Sequence, residues 1–207
     1  MRWNTILVVS GVVGLMSSAA AIEDPAPATP GGPEEFSIEV QTVLEQRTKR
    51  LTETLIADPV VQQAVRESNE RNKALPLSEI LRLDAKWQVT EGTDDFIKSF
   101  LTNACAERLI AFQEAYKGFS EIFIADARGL VVAETNKTSD YYQADEEWWV
   151  KAYDAGRGHT FHGDIEYDQS AMAEAIAVYV PVMDAQTHHA IGVLKAIVDL
   201  TSIKREL

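Results

Sequence analysis

The hydrophobic period of this chain changes once, at Gly118, and that single change limits the folds open to it. Before it, apolar residues recur at helical spacing. Val40, Leu44, Leu51 and Leu55 step by four, seven and four along one face of a helix that begins near Phe36. Such a seam needs cover from the rest of the domain or from a second copy, so a homodimer through this helix is one expectation. Asp58-Pro59 restarts the helix, with Asp58 as N-cap and Pro59 at the first helical position. Ser78 is placed to cap a short helix running through Trp87. One further helix is predicted from about Thr93 to Tyr116, with Ile97, Leu101, Cys105, Leu109 and Phe112 in one stripe. Cys105 is the only cysteine, so no internal disulfide forms, and its place in the stripe makes it a small buried hydrophobe.

After Gly118 the period is two. "EIFIADARGLVVAET" reads as two strands joined at Asp126-Ala127-Arg128-Gly129, with Gly129 supplying a positive φ. Three more strands are predicted at roughly 159–167, 171–182 and 189–200, with turns at Asp168-Gln169-Ser170 and Asp184-Ala185-Gln186. Between the second and third strands, Asp145-Glu146-Glu147 suits a helix N-terminus, and Gly156-Arg157-Gly158 ends that helix. A helical half followed by a five-stranded antiparallel sheet is an α+β domain, and 207 residues hold one such domain comfortably.

The beginning of the chain is of a different kind. "MRWNTILVVSGVVGLMSSAAA" has one arginine, a short apolar run and a small-residue end, the pattern of a secretory signal peptide over residues 1–21 with cleavage after Ala21. The rival reading keeps residues 5–21 as an inner-membrane anchor, but Ser10, Gly11 and Gly14 dilute the run. Residues 22–35 hold four of the seven prolines and form an extended tether. The domain proper is therefore expected at 36–207. Export without disulfides fits a bacterial periplasm. The sequence shows no second apolar run of spanning length, so a stand-alone periplasmic binding protein is expected, with any signal passed to a membrane-bound partner. The net charge of −13 argues against nucleic acid as a partner.

Chemistry-bearing residues concentrate in "YYQADEEWWVKAY", residues 141–153. It spends three of six tyrosines and two of four tryptophans around a run of acids. Over residues 140–168 eight acids face two bases. Aromatic faces and carboxylates together are how a protein captures an ammonium or guanidinium group. Tyr141, Tyr142, Trp148, Trp149 and Tyr167 are the candidate wall, with Asp145, Glu146 and Asp168 beside them. On the last strand Lys195 and Asp199 share a face with apolar residues, so they pair with each other or meet a ligand. Ala173, Ala175 and Ala177 leave one face of the fourth strand bare, open to a packed helix or to a ligand. His159 and His162 point to opposite sides of a strand and make a poor metal pair. No G-x-S-x-G, H-E-x-x-H or phosphate loop occurs. The expectation is a binding protein and not an enzyme, with no cofactor or metal.

These segments in this order, a long helix, then "FIADARGLVVAETN", "DYYQADEEWW", "YDQSAMAEAIAVYVPVMD" and "AIGVLKAIVDL", resemble the Cache family of PAS-like extracellular sensor domains over about residues 36–205. The resemblance implies a long helix on an antiparallel sheet and a pocket for a small metabolite between the sheet and the segment after strand two. Members that bind amino acids carry a tyrosine, an arginine five residues on, a Trp-aromatic pair and a late aspartate. Tyr141, Trp148 and Trp149 match, but the arginine position holds Glu146. Asp199 lies two residues beyond the aspartate's place, which Ile197 fills. The expected ligand is therefore small and polar or cationic, without a carboxylate for an arginine to hold. The alternative is a structural or interaction protein whose pocket is filled.

Overall fold

Ser37 starts the first helix by accepting a hydrogen bond from the Val40 amide, and α1 runs Ile38–Arg50. It continues without a break into a π-helical turn, Leu51–Ile56. Asp58 accepts from the Val60 amide and Pro59 fills the first position of α2 (Pro59–Asn72), as its sequence predicts. The computed structural model describes residues 36–168 and 173–207. The segments read from sequence as a leader (1–21) and a tether (22–35) lie wholly outside the described residues, as does most of the turn at 168–170.

Two helix boundaries differ from expectation. α3 spans Leu77–Val89 with Pro76, not Ser78, at its N-cap. The single helix expected at 93–116 is two, α4 (Asp95–Leu101) and α5 (Ala104–Ala115). Asn103 makes the break. Its side chain caps α5 through the Ala106 amide and donates to the Ser99 and Val132 carbonyls, a better use of its amide than a helix interior allows.

β1 (Phe119–Asp126) and β2 (Val131–Glu134) form the expected hairpin. α6 (Glu147–Tyr153) follows and ends at Asp154, which adopts a left-handed conformation. β3 (Phe161–Asp168), β4 (Ala173–Met183) and β5 (Ala190–Asp199) complete the sheet, and α7 (Leu200–Lys204) closes the chain. The strands are antiparallel in the order β2-β1-β5-β4-β3, so the first and last strands meet at the centre in a PAS-like α+β arrangement.

The two faces of the sheet have separate fates. Ile122, Ile124, Ile176, Val178, Val180, Leu194, Ala196 and Val198 point inward against Leu44, Leu51, Leu55, Val61, Val65 and Leu109. The heptad seam of α1 is thus buried in the domain's own core. Cys105 lies in that core, and burial, with a smaller push from Asp58, raises its thiol to about 12. Arg47 is buried too. It donates to the Gly118 carbonyl at 3.0 Å and pairs with Glu206, joining α1 to the start of β1 and the end of the chain. Among the described residues no helix is long and apolar enough to cross a membrane. The opposite face of the sheet carries the candidate site.

Candidate functional site

Strand register puts Phe123, Lys195, Tyr179 and Phe161 in one row, since directly paired residues on antiparallel strands share a face. One step along, Ile197 and Ala177 form a second row, and Ala175 and Glu166 pair beyond it. The alanines that left β4 bare open a hollow here rather than seat a helix. Two adjoining cavities, about 370 and 590 Å3, share Ser139, Asp140, Gln143, Glu166, Tyr179 and Lys195, forming one groove across the sheet. Glu121 and Tyr167 lie at one end, and Glu146, Glu147 and Lys151 at the other.

α6 supplies the wall. Trp148 and Trp149 are adjacent on a helix, so their side chains point about 100° apart. Trp148 stacks on Tyr179 at 5.1 Å and meets Phe123 edge-on at 5.9 Å. Trp149 turns the other way, buried against Tyr153 and Val193. The rings of Phe123, Trp148 and Tyr179 surround the Lys195 ammonium at 5.7, 5.0 and 5.9 Å. That ammonium forms no ion pair or hydrogen bond among the described residues. Of the aromatic wall expected to receive a ligand's cation only Trp148 takes part here, and with Phe123 and Tyr179 it already holds one of the protein's own cations. Lys195 therefore presents positive charge to the groove from an aromatic seat.

Acids surround it. Asp140 accepts from Gln143 at 2.5 Å, and burial, the larger influence, raises its carboxyl above the usual range. Burial, then the charges of Glu166 and Glu146, push the Tyr179 phenol up to about 12. Groove potential is thus mixed, one central cation among several carboxylates.

The loop from 137 to 143 forms the remaining side and is held from beneath at three points. Trp87 donates its indole N–H to the Thr138 carbonyl at 2.8 Å. Asp84 accepts from the amides of Tyr141 and Tyr142. Glu134, fully buried on β2, accepts from the amide and hydroxyl of Thr138, leaving its other carboxylate oxygen without a partner. Burial raises this carboxyl to about 7. Gly129 lets the loop come close. Its φ is +75°, and a Cβ there would lie 2.4 Å from the Ala144 nitrogen.

The predicted site residues divide. Glu146, Trp148, Tyr167 and Lys195 line the groove. Tyr141 does not: it packs among Trp87, Phe96 and Phe100 beneath the loop, and Tyr142 packs against the same cluster. Trp149 is core, Asp145 is exposed and off the groove, and Asp199 caps α7 through the Thr201 amide. Nothing is described of the Asp168 side chain. Lys195 and Asp199 therefore do not pair. Phe123, Tyr179, Asp140 and Glu166 are among the groove residues missing from the sequence candidates. Phe123 and Tyr179 lie on strands whose apolar residues read as core, and only strand order brings their outward members together.

No family model matches the chain, and no curated protein matches it. Solved structures do. The Escherichia coli DcuS sensor domain is 12% identical, with 81% of this chain and 96% of that one covered and a TM-score of 0.44. The sensory domain of the Campylobacter jejuni chemoreceptor Tlp3 with isoleucine bound is 16% identical over 83% and 67%, with a TM-score of 0.40. The ligand-binding domain of the Pseudomonas aeruginosa PAO1 amino acid chemoreceptor PctC, in complex with GABA, is 14% identical over 80% and 64%, with a TM-score of 0.39.

Proposed function

We propose that residues 36–207 form a Cache-type extracytoplasmic sensor domain that binds a small polar metabolite in the groove on the outer sheet face. The observation that carries this reading is Lys195, an ammonium seated among Phe123, Trp148 and Tyr179, facing an open groove and pairing with no carboxylate among the described residues. A half-buried charge costs free energy unless something compensates it, and a ligand's anionic group does so. Asp140, Glu166 and Glu146 are placed to accept from amino or amide groups on the same ligand. The ligand is thus a small molecule carrying an anionic group and hydrogen-bond donors together. This departs from the small polar or cationic ligand without a carboxylate expected from residue order, because Lys195 occupies the aromatic box. Read-out passes to a membrane-bound partner.

A thermal-shift screen of the protein tests this, using amino acids, dicarboxylates, polyamines, quaternary amines, purines and divalent metals. A ligand at a hundred times its dissociation constant adds about 2.7 kcal/mol, which is several degrees in a domain of this size. The expected responders carry a carboxylate or phosphate together with amino or amide donors, and Lys195→Met removes the part of their shift that arises in the groove. A flat response in every class leaves the interaction-protein alternative in its place.

A further inference from the structure

A second cavity, of about 500 Å3, lies on the other side of the 137–143 loop, between α2, α3, α4 and β2. Its volume falls within the range of small-molecule sites, roughly 300–1,000 Å3. Phe96 and Phe100 meet edge to face at 5.2 Å, and Phe100 and Tyr141 are 5.3 Å apart, so three rings form one corner of it. Leu75 and Leu83 extend the apolar wall.

Most polar groups on this lining are already committed. The Asn72 amide donates to Ser68 and Asp126, that of Asn103 to Ser99 and Val132, and the Ser99 hydroxyl to Phe96. Two donors are not. The Arg71 guanidinium makes no hydrogen bond or ion pair among the described residues. Glu67, one turn earlier on α2, accepts from Gln63 instead. The Tyr141 hydroxyl likewise has no partner among the described residues, although the residue is only 4% exposed. Burial, reinforced by Asp126 and opposed by Arg71, raises this phenol, so it keeps its proton and donates at neutral pH. Asp126 itself is engaged by Ser68, Asn72 and the amides of Arg128 and Leu130. A planar guanidinium and a phenol beside an aromatic corner match a carboxylate attached to a ring or branched chain.

We propose that this cavity is a second binding site, taking a small carboxylate with an aromatic or branched apolar tail, its anion held by Arg71 and Tyr141. The proposal is independent of the groove ligand. Phenylacetate is the probe and its neutral amide, phenylacetamide, the control, each titrated calorimetrically into the full chain. The expected dissociation constant for phenylacetate is on the order of 1 mM, as suits a ten-atom ligand, with phenylacetamide at least about tenfold weaker. Arg71→Gln, an exposed substitution that leaves the unliganded melting temperature unchanged, weakens phenylacetate about tenfold and removes the preference for acid over amide. Lys195→Met leaves phenylacetate binding as it was. Absence of binding up to about 20 mM, a range that captures even millimolar affinities, overturns the proposal. So does equal affinity for acid and amide, or a loss of binding in Lys195→Met and not in Arg71→Gln.

Discussion

Asp84, on α3, accepts hydrogen bonds from the consecutive main-chain amides of Tyr141 and Tyr142, at 2.8 and 3.0 Å. A helix distant in sequence thereby fixes the loop that walls the groove, and it does so with one nearly buried carboxylate. Asp84→Ala strands both amides, and each buried unpartnered donor costs about 1–3 kcal/mol. We expect a loss of about 2–4 kcal/mol in urea unfolding, and weaker binding of any groove ligand, because Asp140 and Gln143 lose their support.

The neighbouring tryptophans should separate cleanly. Trp149→Ala opens a cavity in the packed cluster with Tyr153 and Val193 and is expected to cost about 3–5 kcal/mol. Trp148→Ala, at the groove, is expected to cost less than half as much and to weaken the groove ligand at least about tenfold. Denaturation curves and titrations on the two variants decide the matter. A larger stability loss for Trp148 would reverse their roles.

The pH response of Glu134 follows from its burial. Its carboxyl titrates near 7 in the folded protein, against the usual 4.5, with Glu121 raising it further and Lys137 opposing. Between these values the unfolded chain has released the proton and the folded chain has kept it, so stability falls as pH rises from about 4.5 to 7 and levels off above. Glu134→Gln retains an oxygen acceptor for Thr138 and removes the titration. It is expected to exceed the parent in stability by a few kcal/mol at pH 7.5, with the difference shrinking toward pH 4.5. Unfolding free energies at the two pH values provide the check, and a difference independent of pH would refute the assignment.

Gly129→Ala places a methyl against the Ala144 main chain on a backbone of positive φ. The backbone conformation alone costs about 1–2 kcal/mol for a residue with a side chain. The collision adds to it, so we expect at least about 2 kcal/mol in denaturant unfolding, together with a shifted loop.

Much of the sheet is legible in the sequence. The five strands and the Asp126–Gly129 hairpin follow from alternation and one glycine, and the burial of Cys105 from a stripe at helical spacing, because each depends on residues close in sequence. The groove follows only in part. Lys195 announced itself as a charge on an apolar face and Tyr179 lies on the strand next to it in sequence, yet Phe123 comes from β1, which sequence order does not place beside β5. Tyr141 could not be aimed from sequence, since a loop has no period to say which way a side chain points. Asn103 carried a readable signal. A cap-forming residue in mid-helix was grounds to divide the 93–116 segment.

Arg47 bonds at once to the carbonyl that precedes β1 and to Glu206 beyond α7, from a position closed to water. A buried guanidinium cannot drift gradually away from such contacts, because every intermediate position would strand its charge in a poorly hydrated setting. Displacing the first helix relative to the last would therefore have to part this guanidinium from the Gly118 carbonyl and from Glu206 together, so one side chain ties both ends of the domain to the start of the sheet.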